Sequence, residues 1–157
     1  MTTTTTSSFT FDDVERWVNL AVEDFRKHDF QLLEISADER AATHRIACYL
    51  QKYFPGWNVD CEYNRRGRNP KKLDGELVRP DIIIHRRNSR ENLLCIEAKK
   101  SGGSLDELDD DRKRLAEFTQ YAGEYKYPFG LLIILSLTTP YKIDYEWYKN
   151  GKTIKSC

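Results

Sequence analysis

No stretch of the chain approaches the ~20 consecutive apolar residues that a membrane-spanning helix needs. The longest apolar block, around residues 131–135, has the length of a strand. The first eight residues, Met1-Thr2-Thr3-Thr4-Thr5-Thr6-Ser7-Ser8, hold neither a basic nor an apolar region and so do not read as a secretory signal. Their low complexity predicts a disordered tail over residues 1–9. Cysteine is scarce: Cys48, Cys61, Cys95 and Cys157 show no Cys-x-x-Cys spacing, which argues against both zinc and a disulfide framework. Cys48 and Cys95 fall within apolar patterns and read as small buried hydrophobes, in keeping with a reducing, cytoplasmic setting. There is no internal repeat and no phosphate-cradling glycine motif; Gly102-Gly103 is too little for one. Net charge is absent as well, with 25 acids against 25 Lys and Arg, so the molecule as a whole has no pull on nucleic acid or an anionic membrane.

What is present is enough for one domain, expected over residues 10–157. A chain of 157 residues can bury a core without staples, and 39% hydrophobic with 32% charged residues is a globular balance. The charges are also unevenly placed. Arg65, Arg66, Arg68, Lys71 and Lys72 crowd one short stretch, and Arg86, Arg87 and Arg90 another, whereas acids gather in Asp106-Glu107 and Asp109-Asp110-Asp111. A local patch of this kind can attract phosphate on a neutral molecule.

The chain is organised around two apolar strands, one opening at Asp81 and one closing at Lys99, joined by the polar turn His85-Arg86-Arg87-Asn88-Ser89-Arg90-Glu91. Folded about Ser89, the hairpin sets Asp81 opposite Glu97, Ile83 opposite Cys95 and His85 opposite Leu93. Directly opposed side chains on one face lie about 5 Å apart at Cβ, and Lys99 shares the face of Glu97 because side chains alternate along a strand. Two carboxylates so close must share a proton, pair with cations or hold a metal. Oxygen donors of this kind suit Mg²⁺, and a lysine beside the ion could position or deprotonate an attacking water. The competing reading is a cross-strand salt bridge on a solvated face.

Pro80-Asp81 followed by Glu97-Ala98-Lys99, with the first pair opening an apolar strand and the second motif closing the next, resembles the PD-(D/E)xK nuclease superfamily. The resemblance runs from about residue 37 to residue 137. Asp60-Cys61-Glu62-Tyr63-Asn64-Arg65 and the stretch from Asn92 to Lys100 look like those of small, uncharacterised bacterial members. The resemblance implies an α/β fold with a restriction-endonuclease-like core, a mixed central sheet flanked by helices in the order helix, three strands, helix, strand. An extra N-terminal helix and a C-terminal hairpin would be added to it. It further implies that Asp81 and Glu97, with the Ala98 carbonyl, bind Mg²⁺ or Mn²⁺, and that Lys99 serves the attacking water. The first core helix of the superfamily often brings an acid to the metal, and Glu39 is the candidate.

Taken in order, Thr10 reads as an N-cap with Asp12 and Asp13 in the first turn. Val14, Trp17, Val18, Ala21, Val22 and Phe25 follow as an apolar stripe. Residues 30–35 are open between helix and extended link. Ser36-Ala37-Asp38-Glu39 forms a capping box, so Glu39 is either a metal ligand or an N3 residue bonding back to its own helix start. Its helix should end at Pro55-Gly56, with His44 on the polar side as a surface or phosphate-contacting residue. Residues 57–63 read as a strand on which Glu62 either reaches the metal site or is salt-bridged. Residues 64–77 read as a basic polar loop for phosphate, joined by Lys100. Ser104-Leu105-Asp106-Glu107 is a second capping box, opening a helix that carries Leu108, Leu115, Phe118, Ala122 and Tyr125 on one face. Gln120-Tyr121 in it is a loose echo of a helical Gln and Tyr found in some nuclease families. Residues 129–137 should be a central, doubly covered strand, and Asn150-Gly151 a hairpin turn. That last hairpin would extend the sheet, cover an edge or form a homodimer contact.

The function expected is metal-dependent hydrolysis of phosphodiester bonds, in DNA rather than RNA. The alternative is a non-catalytic nucleic-acid-binding or protein-interaction module on the same scaffold.

Overall fold

Thr10 caps the first helix, as the sequence predicts, and the cap is a full capping box. The Thr10 side chain accepts the Asp13 N–H and the Asp13 carboxylate accepts the Thr10 N–H, opening α1 (Phe11–Asp29). The computed structural model describes residues 9–35, 38–63, 65–66, 69–70, 72–73, 76–136 and 141–157, with the backbone alone at 65–66, 69–70, 72–73 and 76–77. Most of the predicted stripe of α1 is buried: Val14, Val18, Ala21, Val22 and Phe25. Phe9, read as the end of a tail, instead packs edge-on against Trp17 at 5.0 Å and beside Trp57. The ambiguous link is a single turn, α2 (Gln31–Glu34).

The next helix, α3 (Glu39–Tyr53), starts one way and was expected to start another. Asp38 is its N-cap, accepting the Arg40 N–H at 3.2 Å, so Glu39 is the first helical residue rather than the third. Ser36 lies outside the described residues. The consequence is chemical: at this position the Glu39 carboxylate is not used for capping its own helix and can turn outward to a strand.

Strand β1 (Asn58–Cys61) follows. Residues 64–77, read as a loop, contain two short antiparallel ladders: β2 (Arg65–Arg66) with β3 (Asn69–Pro70), and β4 (Lys72–Leu73) with β5 (Glu76–Leu77). Then come β6 (Ile82–His85), β7 (Asn92–Lys100), α4 (Leu105–Thr119), β8 (Phe129–Leu135), β9 (Ile143–Lys149) and β10 (Lys152–Ser156). The main sheet has the order β1-β6-β7-β8-β9-β10. It is mixed: β7 and β8 are parallel, bridged by the α4 crossover, and every other neighbouring pair is antiparallel.

The pleat divides the core. Ile82, Ile84, Leu94, Ile96, Ala98, Leu131, Ile133 and Trp147 belong to one apolar cluster with α1, α2 and α3. Ile83, Cys95, Leu132 and Tyr148 belong to another with Leu115 and Phe118 of α4. The protein is thus an α/β domain with helices on both faces of the sheet. No described helix is long and apolar enough to cross a membrane.

Two close approaches fix the geometry. Gly130 lets α4 sit tight on β8, because a Cβ there would lie 2.9 Å from Thr119 Cγ2 and 3.3 Å from Tyr148 Cβ. Gly130→Ala should therefore cost about 1–3 kcal/mol through overpacking, outweighing the ~0.5–1 kcal/mol that removing a strand glycine returns. The urea midpoint measures the difference, and an unchanged or raised midpoint would contradict it. At the predicted turn, Asn150 and Gly151 have φ of 49° and 75°, the geometry that favours Asn-Gly in a two-residue hairpin loop. The hairpin extends the sheet. Its tip also ends α4: the Gly151 N–H donates to Thr119 Oγ1 and the Tyr121 N–H to Asn150 Oδ1. The helix consequently stops at Thr119, before the expected Ala122 and Tyr125, and Gln120 is its exposed C-cap. At the other end of α4, Ser104 is the N-cap by position, but its side chain makes no capping hydrogen bond.

Candidate active site

The β6–β7 register runs Ile82↔Ile96, Ile83↔Cys95 and Ile84↔Leu94, as a hairpin centred on Ser89 requires. An irregularity after Ile84 then pairs His85 with Asn92 instead of Leu93. His85 is not part of the turn: it is buried, with Nε2 2.7 Å from Asp60 Oδ2. Carried one step outward, the same register brings Asp81 to Glu97. Asp81 Oδ2 accepts the Ala98 N–H at 2.8 Å, and Asp81 is close enough for its charge to raise the Glu97 pKa.

Four further side chains complete the cluster. Glu39 Oε2 accepts the Lys100 N–H at 3.0 Å, which ties the start of α3 to the end of β7. Lys99 Nζ stands 3.9 Å from Glu39 Oε1 and 3.8 Å from Asp111 Oδ2. Arg114 Nε lies 3.4 Å from Glu97 Oε1, and its guanidinium also pairs with Asp111. No motif in the sequence marks Asp111 or Arg114, both on α4, and Asp111 sits in a run of acids that composition places away from the site. Its helical phase was the available signal. It falls between Leu108 and Leu115 on the apolar stripe, and an acid in that position needs a partner.

Burial governs the electrostatics. Glu97 is 2% exposed and Asp111 is fully buried. Desolvation and then the neighbouring Asp81 charge push the Glu97 carboxyl well above its ordinary value, against the pull of Arg114. Asp111 is raised too, mainly by burial, with Arg114 and Lys99 opposing. For Lys99 burial favours the neutral amine, but Asp111 and Glu39 together outweigh it and raise its pKa. Lys99 is therefore an ammonium at neutral pH. Glu97 Oε1 and Asp111 Oδ2 are buried and accept no hydrogen bond.

Glu39, Asp81 and Lys99 open onto a cleft of about 420 Å³, shared with Arg40, His44, Cys61 and Glu62. Glu62 sits at its mouth with φ of 49°, 3.5 Å from the exposed Arg40, so its side chain is salt-bridged rather than directed into the cluster. His44 faces Cys48 Sγ at 3.7 Å, and Cys48 is exposed rather than buried as its pattern suggested. Gln120 lies beside Gly151 of the hairpin tip, and nothing brings it to the cleft.

The donor set consists wholly of oxygen, which suits a hard divalent ion. Among the described residues no group of three or more His, Cys, Asp or Glu is disposed to hold a metal as it stands. The carboxylates of the cluster are interleaved with Lys99 and Arg114.

Of the expected phosphate-binding residues, Arg68 and Lys71 lie outside the described residues, and only the backbone of Arg65, Arg66 and Lys72 is described. In the β6–β7 turn, Arg86 pairs with Glu91 and lies over the Trp57 ring, while Arg87 forks onto Asp60. These turn arginines stand roughly 15 Å from Asp81 along the strand. The Arg87 hydrogen bonds are the main cause of a lowered Asp60 pKa, opposed by burial and helped by His85. Stability from Asp60 is thus present above its ordinary value of 3.8 and is lost as pH falls through the folded value. Asp60→Asn should lower stability at pH 7 by about 1–3 kcal/mol and flatten its decline in acid. Urea melts from pH 6 downward measure this, and parallel curves for the two proteins would refute it.

No protein-family model, curated protein or solved structure matches the chain.

Proposed function

We propose that the protein is a divalent-metal-dependent nuclease acting on phosphodiester bonds. One observation carries the reading: Asp81, Glu97 and Lys99, which the sequence motif names, meet at one end of a hairpin beside an open cleft. Glu39 joins them from a separate helix. Glu97 Oε1, buried without a hydrogen bond and only loosely paired with Arg114, is an oxygen that a hard cation would suit.

Asp81, Glu97 and the Ala98 carbonyl would hold Mg²⁺ or Mn²⁺. When bound, the ion supplies positive charge against the phosphate and acidity to water. The chain's own residues do the rest. Lys99, an ammonium held by Glu39 and Asp111, is a hydrogen-bond donor that orients the attacking water and offsets charge developing on the phosphate oxygens. Arg40, 82% exposed at its side chain, and His44 border the cleft and suit backbone phosphates. Lys100 and the basic segment with Arg65, Arg66 and Lys72 are further candidates for phosphate from the charge pattern of the sequence. DNA is placed ahead of RNA on the superfamily resemblance alone.

A second reading, a non-catalytic nucleic-acid-binding or protein-interaction module, draws on the same cluster. Lys99 and Arg114 already pair with its carboxylates, as a structural ion-pair network would. The test is a cleavage panel of supercoiled, linear, nicked and single-stranded DNA and of RNA, each with Mg²⁺ and Mn²⁺. Metal-dependent hydrolysis that EDTA stops is the expected result. Binding without cleavage on every substrate would favour the module.

A further inference from the structure

The cluster holds four carboxylates, Glu39, Asp81, Glu97 and Asp111, and two cations, Lys99 and Arg114. Fully ionised, it falls short of neutrality by the charge of one divalent ion. Lys99 faces Glu39 and Asp111, so Arg114 is the only cation paired with Glu97 among the described residues. The Arg114 contact with Glu97 is loose. At 3.4 Å the buried Nε makes no hydrogen bond, and Glu97 Oε1 accepts none. Asp111 Oδ2 is likewise buried without one. The Arg114 side chain is 39% exposed, so the guanidinium has a route out of the cluster.

We propose that Arg114 is the resident counter-ion of the cluster, and that a divalent cation held by Asp81, Glu97 and the Ala98 carbonyl replaces it beside Glu97. Arg114 then sets the concentration of metal at which the site fills. The inference rests on the metal-dependent reading above and adds a competitor that the sequence motif does not contain. A buried carboxylate pair without a cation is costly, so the metal-free protein keeps Arg114 in place. An arriving ion must repay that interaction before it gains its own. Removing the guanidinium should tighten metal binding by about ten- to a hundredfold, the scale of one displaced charge at a few ångström in a partly screened site.

The experiment is calorimetric titration of the full chain with Mg²⁺ and Mn²⁺, comparing wild type, Arg114→Met and Arg114→Lys. The wild-type arginine Nε–H signals are followed by NMR through the same Mg²⁺ titration. The expected result is tighter binding by Arg114→Met, with Arg114→Lys between it and wild type. The Arg114 Nε–H signal should shift and saturate with the calorimetric isotherm. Folding of Arg114→Met only in the presence of Mg²⁺ would support the proposal as well. If the Arg114→Met protein fails to fold with or without metal, the lysine variant and the wild-type NMR titration decide. Equal affinities with an unmoved Nε–H signal would overturn the inference and leave the metal site standing. No binding of either ion by wild type and both variants would overturn the metal-dependent reading, and this inference with it.

Discussion

Lys99→Ala should lower single-turnover cleavage by about 10²–10⁴-fold, the range for losing a positioned proton-handling or water-orienting group, while nucleic-acid affinity changes little. The contrast follows from placement. The Lys99 ammonium points into the carboxylate cluster, within 4 Å of Glu39 and Asp111, rather than out along a phosphate track. Neutralising Arg65, Arg66 and Lys72 should do the reverse. It should weaken affinity across sequences and flatten its dependence on salt, since fewer counterions are released, with the rate at saturating substrate kept. Affinity measured against salt, together with single-turnover rates for both variants, separates the two roles. Wild-type cleavage by Lys99→Ala in an active preparation would end the assignment. Arg→Lys changes would be a poor control for the basic segment, because they keep the charge.

In metal-free buffer at pH 7, Glu97→Gln should raise stability by about 1–3 kcal/mol, the scale of a buried group whose desolvation is not repaid. Glu97 is 2% exposed, lies against Asp81, and has a carboxyl whose proton affinity burial raises. A native state that holds a proton more tightly than the unfolded chain loses stability as pH rises from the ordinary value of 4.5 toward the folded one. The amide removes that loss. With Mg²⁺ at a hundred times its dissociation constant the order should reverse, because wild type gains about 2.7 kcal/mol by linkage and the variant gains little. Melting temperatures with and without Mg²⁺ read both effects. Equal metal-dependent shifts in the two proteins would contradict Glu97 as a ligand.

The parts of this site that were legible in the sequence are those where one periodicity decides the outcome. Strand alternation about Ser89 placed Asp81, Glu97 and Lys99 together, and it failed only beyond Ile84, where an irregularity with no sequence signature shifts the pairing. The Thr10 cap and the Asn150-Gly151 turn were legible because each depends on residues adjacent in the chain. Glu39 was legible as a candidate, but its role turned on which residue caps α3, and Asp38 and Ser36 are both competent caps. Asp111 stayed hidden inside a run of three acids, two of which face solvent; composition grouped what helical phase separates. Arg114 was missed for a related reason, since its partners come from another element and no local pattern marks a tertiary ion pair. The end of α4 was misplaced because the groups that stop it belong to Thr119 and to a hairpin tip some thirty residues further on.

Among the described residues β1 and β10 form the two rims of the sheet, and their make-up bears on how the protein behaves when concentrated. A rim strand presents unpaired backbone groups to any other chain that comes alongside, which is the usual start of strand-to-strand aggregation. Here β10 is exposed along its whole length, carries Lys152 and Lys155, and has a register irregularity between Thr153 and Lys155. The opposite rim, β1, is only four residues long and runs into Glu62, whose left-handed backbone breaks the line. An incoming strand would meet charged side chains, Lys152 and the Lys155–Glu15 pair, and an irregular register on one side, and too short a template on the other. The protein should therefore resist growth by sheet extension, and a homodimer is expected to join through side-chain faces rather than through a continuous sheet.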